Sequence, residues 1–140
     1  MVPSGKKAGP DGHKKDGTPY KVLIIDDSAF IIKQLGQILS SVGFEIVGSS
    51  EDGEAGVAAY KKLFPEVDLV TMDITMPKMD GLTSLGKIME LDPLARVVMI
   101  SALGKQDLVK DALLKGAKNF IIKPFDREKV LERVLLALEK

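Results

Sequence analysis

Residues 21–27, KVLIIDD, and 67–73, VDLVTMD, decide the fold. Each is a short, mostly apolar run carrying Val and Leu that stops on a carboxylate. Runs of this length and β-branched content suit strands buried on both faces, as in a parallel sheet. A third run, NFII at 119–122, stops on Lys123-Pro124. The carboxyl ends of the strands in an open parallel sheet lie on one edge, and ligands bind in the crevice there. Asp26, Asp27, Asp73 and Lys123 therefore converge, although the sequence separates them widely. Carboxylates crowded together repel one another and hold their protons too tightly unless a cation joins them. An acidic cluster facing one lysine reads as a site for a divalent metal and a phosphoryl group.

Outward from these runs, strand and helix signals alternate five times. Strands are predicted at 21–25, 44–48, 68–72, 96–100 and 119–122. Ile31, Leu35, Ile38, Leu39 and Val42 share one helical face, closed by Gly43 as a C-cap. Leu108, Val109, Ala112 and Leu113 repeat the pattern before Gly116, and Val130, Leu131, Val134, Leu135 and Leu138 stripe a last helix that Asp126 is placed to cap. Helices near 53–63 and 82–91 are less clearly striped. Five βα units over 21–140 predict one α/β domain with a doubly wound parallel sheet.

Composition narrows the function classes. With 45% apolar and 29% charged residues, the 140-residue chain is an ordinary globular domain. Lys+Arg and Asp+Glu balance at 20 each, so no net field favours nucleic acid or an anionic membrane, and neither DNA binding nor membrane insertion is expected. The absence of Cys excludes disulfides and thiolate metal sites. No apolar run approaches the ~20 residues of a membrane span, and no signal-peptide core follows Met1. A cytoplasmic location is the default expectation. Residues 1–20 hold four Gly, three Pro and four Lys with little to bury, and are expected to be a disordered tail, native or an expression scar. His13 has no evident partner there and is expected to be simply exposed.

Each site residue has a plainer reading. Asp27 can cap the first helix, but Ser28 can do the same and leaves the acidic pair unexplained. Asp80-Gly81 and Pro77 make a turn, yet a turn does not account for Asp73 at the very end of its strand. Lys123 resembles any surface lysine except that Pro124 holds it extended. Ser101, with small Ala102 after it, would alone be a solvated loop residue. Taken together, four of five predicted strands end in a group that phosphoryl chemistry can use.

The motifs IIDDS, TMDITMPKMDG, VVMISA and NFIIKPF, in this order and spacing, resemble those of response-regulator receiver domains, and most nearly the stand-alone chemotaxis regulators of the CheY type. The resemblance covers 21–140 and implies a flavodoxin-like (βα)5 fold with strand order 2-1-3-4-5; the CheY order is also a stock example of the doubly wound rule. It implies that Asp73 accepts a phosphoryl group from a histidine kinase. It implies Mg²⁺ held by Asp27, Asp73 and the Thr75 carbonyl, with Asp26 acting through water. Lys123 and the Ser101 hydroxyl would hold the phosphoryl oxygens, and Phe120 would turn inward behind Ser101 as the switch. Phe120 stands where chemotaxis regulators often carry Tyr, so no phenol is available there. Thr75 and Leu103 sit two beyond Asp73 and Ser101, positions that influence dephosphorylation. Leu103 cannot hydrogen-bond water, which points to slow self-hydrolysis.

The implied role is a phosphoacceptor switch, catalysing only its own phosphorylation and dephosphorylation. With no output domain visible, it would act through partners: a flagellar motor switch protein or another output protein, and a phosphatase. A phosphorelay shuttle or phosphate sink is the alternative within the family, and a non-phosphorylated receiver-fold scaffold the alternative outside that chemistry. A haloacid-dehalogenase-type phosphatase needs a second Asp where Thr75 stands. A flavodoxin needs a hydroxyl-rich loop where DDSAF stands, and no P-loop is present.

Overall fold

The computed structural model describes residues 11–139. Its elements are β1 (Lys21–Ile25), α1 (Ala29–Ser40), β2 (Glu45–Ser50), α2 (Gly53–Leu63), β3 (Leu69–Met72), α3 (Gly81–Leu91), β4 (Val97–Ser101), α4 (Gln106–Leu114), β5 (Asn119–Ile122) and α5 (Arg127–Glu139). The five strands are parallel, in the order β2-β1-β3-β4-β5, as the resemblance implies. Strand bounds agree with the sequence reading to within two residues.

The alternation of strand side chains divides the core into two layers. Val22, Ile24, Leu69, Val98, Ile100 and Ile121 face α1 and α5, where Leu35, Leu39, Val130 and Val134 meet them. Leu23, Ile25, Val70, Met72, Met99 and Phe120 face α2, α3 and α4. Full burial of one such aliphatic side chain contributes about 1.5–3 kcal/mol, so each layer fixes the register of the central strands. Thr71 breaks the pattern: its hydroxyl is buried with no hydrogen-bond partner among the described residues.

Helix ends follow their capping residues. Ser28 caps α1 by accepting from the Ile31 N–H at 3.3 Å, so Asp27 is not used as a cap. Asp126 accepts from Lys129 N–H at the start of α5, as predicted. The Asp80-Gly81 turn proves to be the start of α3, with Asp80 accepting from Thr83 N–H. Gly43 has φ +104°, a left-handed geometry that glycine adopts without strain.

Of the expected disordered tail, residues 1–10 lie outside the described residues. Residues 11–20 depart from the expectation: they form a turn against the amino-terminal edge of the sheet. Gly12 N–H donates to Val42 O, Tyr20 N–H to Gly12 O, and Glu45 N–H to Tyr20 O, at 2.8–2.9 Å. Tyr20 lies against Phe44, and Lys14 pairs with Asp68 at 3.2 Å. His13 is exposed as expected, but it does have a partner, Asp11, at 2.6 Å. No helix among the described residues is long and apolar enough to cross a membrane.

Candidate phosphoryl and metal site

The alternation that builds the two core layers also sorts the site. Asp26 follows Ile24 by two positions, Asp73 follows Thr71, and Lys123 follows Ile121, which places all three on the α1/α5 side of the carboxyl edge. Ser101 follows Met99 and falls on the opposite side, with Phe120. The edge thus separates a charged half from a hydroxyl–aromatic half.

In the charged half, oxygen atoms of Asp26, Asp27 and Asp73 lie within 4.8 Å of one another. Asp26 and Asp73 are buried, whereas Asp27 is exposed. Both oxygens of Asp26 are engaged: Oδ1 accepts from Ser28 N–H at 2.9 Å and Oδ2 receives Lys123 Nζ at 3.0 Å. Asp73 Oδ1 accepts from Ile74 N–H at 2.8 Å, and its Oδ2 lies 3.5 Å from Lys123 Nζ. Burial, and next the neighbouring Asp26 charge, push Asp73 up to about 6, against the opposing pull of Lys123. One lysine does not balance three carboxylates. The donor set is all oxygen, partly open and over-rich in negative charge, which fits a hard divalent cation such as Mg²⁺.

Thr75 is exposed in the loop just beyond Asp73. Ser101 is 1% exposed, and its Oγ accepts from Leu103 N–H at 3.1 Å. That bond leaves the hydroxyl proton free to donate. Phe120 is 6% exposed and points inward, packed in the α3/α4 layer. Leu103 is exposed beside the site. The Lys123-Pro124 peptide is cis.

Sequence reasoning missed the supports of the loop 74–80. Asp52-Gly53 opens α2 as Asp80-Gly81 opens α3, each Asp capping its helix. The repeated Asp-Gly pair was the available signal. Lys78, between them, has a positive φ of 68° and reaches Asp52 at 3.9 Å.

A model of the response regulator receiver domain matches residues 22–135. The chain is 61% identical over 130 residues to the chemotaxis protein CheY of Treponema pallidum, covering 93% of this chain and 90% of that protein. It is 49% identical over 115 residues to CheY of Bacillus subtilis, covering 82% and 94%. Among solved structures, the CheX–CheY–BeF3–Mg²⁺ complex of Borrelia burgdorferi contains a similar chain, with TM-score 0.87 and 60% identity over 89% of this chain and 93% of that one. The response regulator domain of Thermotoga maritima CheB is similar at TM-score 0.79 and 32% identity, covering 86% and 97%.

Proposed function

The chain belongs to the response-regulator receiver domain family, in its CheY-type branch, and from that premise we propose that Asp73 is its phosphoacceptor and that Asp26, Asp27 and Asp73 gather Mg²⁺ beside it. It is a chemotaxis response regulator, a phosphoacceptor switch. The observation that carries the site assignment is the cluster of three carboxylates within 4.8 Å, faced by Lys123 alone among the described cations.

Asp27 and Asp73 would hold the cation directly with the Thr75 carbonyl. Asp26 has both oxygens occupied and acts at one remove. Bound Mg²⁺ supplies charge neutralisation for a transferring phosphoryl group. Asp73 Oδ2 is the oxygen left free of the Ile74 N–H and attacks the phosphorus of a phosphohistidine. The P–N bond of the donor breaks as the P–O bond to Asp73 forms, and imidazole leaves. Lys123 then exchanges Asp26 for a phosphoryl oxygen, and Ser101 donates its hydroxyl proton to another. Leu103 offers no polar group to an attacking water, which favours a long-lived phosphoryl state.

Output passes through protein partners. The open groove of about 480 Å³ between α4, β5 and α5 is lined by Val109, Leu113, Phe120 and Ile122 with Lys118 and Arg133. A flagellar motor switch protein is the proposed occupant, and a CheX-like protein a further proposed partner, after the CheX–CheY complex of the similar structure. Mass spectrometry after incubation with acetyl phosphate and Mg²⁺ tests the assignment. One phosphoryl mass should be added, and Asp73→Asn should abolish it. Unchanged labelling of Asp73→Asn would sink it.

A further inference from the structure

The loop 74–80, which follows the phosphoacceptor and carries Thr75, is held between two helix starts. On one side Gly81 N–H donates to Ile74 O at 2.7 Å, and Ser84 Oγ, fully buried, donates to Asp80 O at 2.9 Å. On the other side α2 begins at Gly53, which is buried against this loop. A Cβ at Gly53 would overlap the Met79 carbonyl oxygen and Ser84 Oγ, and would stand 2.8 Å from Met79 C. A Cβ at Gly81 would overlap the carbonyl oxygen of Asp73 itself. Apart from Ser84 Oγ these obstacles are backbone, which cannot rotate aside as a side chain can. Gly56, one turn along α2, differs: the three atoms nearest its added Cβ all belong to the Ile25 side chain.

We propose that Gly53 is a positioning residue for the metal site: its missing side chain lets the Met79 carbonyl seat on the first turn of α2 and so fixes the loop that presents Thr75. The Asp52–Lys78 pair at 3.9 Å ties the same two elements, and Lys78 keeps its left-handed backbone between them. A methyl at 53 displaces Met79 and, through the short loop, Thr75 and the backbone beyond Asp73. Supports of this kind change metal affinity about 10–100-fold when lost. The inference rests on Mg²⁺ binding at Asp26, Asp27 and Asp73.

Calorimetric titration of the full chain with MgCl2, alone and without any phosphodonor, tests it. Gly53→Ala should weaken Mg²⁺ binding at least tenfold and shrink the Mg²⁺-induced rise in Tm. Gly86→Ala, with nothing within 4 Å of its added Cβ, should bind as wild type does. If Gly53→Ala proves too unstable to titrate, the titration is repeated with the variant stabilised by an excluded osmolyte, with wild type in the same buffer as reference, and the same loss should appear. Lowered Tm with wild-type Mg²⁺ affinity would make Gly53 merely structural and overturn the proposal. A wild-type protein that takes up no Mg²⁺ would instead overturn the metal assignment on which it rests.

Discussion

Lys123 Nζ lies 3.0 Å from Asp26 Oδ2, nearer than the 3.5 Å to Asp73 Oδ2. The lysine proposed to meet the phosphoryl group therefore serves here as the counter-ion of a buried aspartate. Asp26 is 1% exposed, so loss of that partner strands a charge that water cannot reach. Removing one member of such a pair costs about 3 kcal/mol. Lys123→Ala should accordingly unfold at lower denaturant concentration than wild type, with saturating Mg²⁺ restoring part of the loss. The variant should still accept a phosphoryl group slowly but bind its output partner no better when phosphorylated. Equal midpoints with and without Mg²⁺, or wild-type partner binding, would count against this role.

Asp73 makes the apo protein sensitive to pH. Its folded value, about 6, lies above its ordinary 3.8, so between these limits the folded state holds more protons than the unfolded chain. The stability this group contributes is full below about pH 4 and is lost as pH rises through about 6. Apo protein should gain stability from Asp73 as pH falls from 7 to 5, and Asp73→Asn should lack that gain. Mg²⁺ affinity should move the other way and fall below pH 6, because a protonated carboxyl is a poor ligand. Melting curves and titrations at pH 5, 6 and 7 check both directions.

Asp27→Ala separates metal binding from folding. Ser28 already caps α1, and Asp27 is exposed, so the fold loses nothing with the carboxylate. Relief of repulsion within the cluster should leave apo stability equal or raise it by about 0.5–1 kcal/mol. Mg²⁺ affinity should collapse. An unfolded variant, or one that binds Mg²⁺ like wild type, would refute the division of labour between Asp27 and Ser28.

The legible parts of this molecule are those that rest on side-chain pattern. Short apolar runs located β1, β3 and β5, and parallel topology then brought Asp26, Asp27, Asp73 and Lys123 to one edge. The illegible parts rest on backbone. Residues 11–20 have little to bury, but Gly12, Tyr20 and the turn at Val42–Gly43 exchange main-chain hydrogen bonds that composition does not reveal. Gly53 likewise reads as a weak helix former, while its role is the space it leaves for Met79. Asp80-Gly81 fits a turn and a helix start equally well by sequence, and only packing against Asp73 decides between them.

Thr71 tests the core beneath the site. Its hydroxyl is buried between Ile24 and Val98 without a partner among the described residues. A buried unsatisfied hydroxyl costs about 1–3 kcal/mol, and Val presents nearly the same shape without it. Thr71→Val should raise stability by about 1 kcal/mol with phosphorylation unchanged. A loss of stability would mean that the hydroxyl is satisfied in solution.

Phe120 is where the chemistry of the edge should reach the partner groove. It pairs in register with Met99, lies on the Ser101 side of the sheet, and lines the α4–β5–α5 groove from within. At 6% exposure it packs within the core layer on the Ser101 side of the sheet, and Ser101 is itself tied to Leu103 by an N–H to Oγ bond. Phosphoryl capture that draws Ser101 toward Asp73 must move Leu103 or give up that bond, so the start of the loop 102–105 is the first element displaced. The phosphoryl group shifts this equilibrium only by its differential affinity for the two arrangements, and a swing from 1:99 to 99:1 requires about 5.5 kcal/mol. A more modest bias, with inward Phe120 already populated before phosphorylation, needs correspondingly less and leaves a basal signal. NMR of the Mg²⁺-bound protein with and without beryllofluoride should therefore show shifts across 102–122, the Phe120 ring and the loop included. Phe120→Leu should keep the fold and the phosphoryl chemistry while weakening the shift at α4. Changes confined to Asp26, Asp27, 73–75 and Lys123 would make Phe120 a fixed core residue and place the output face elsewhere.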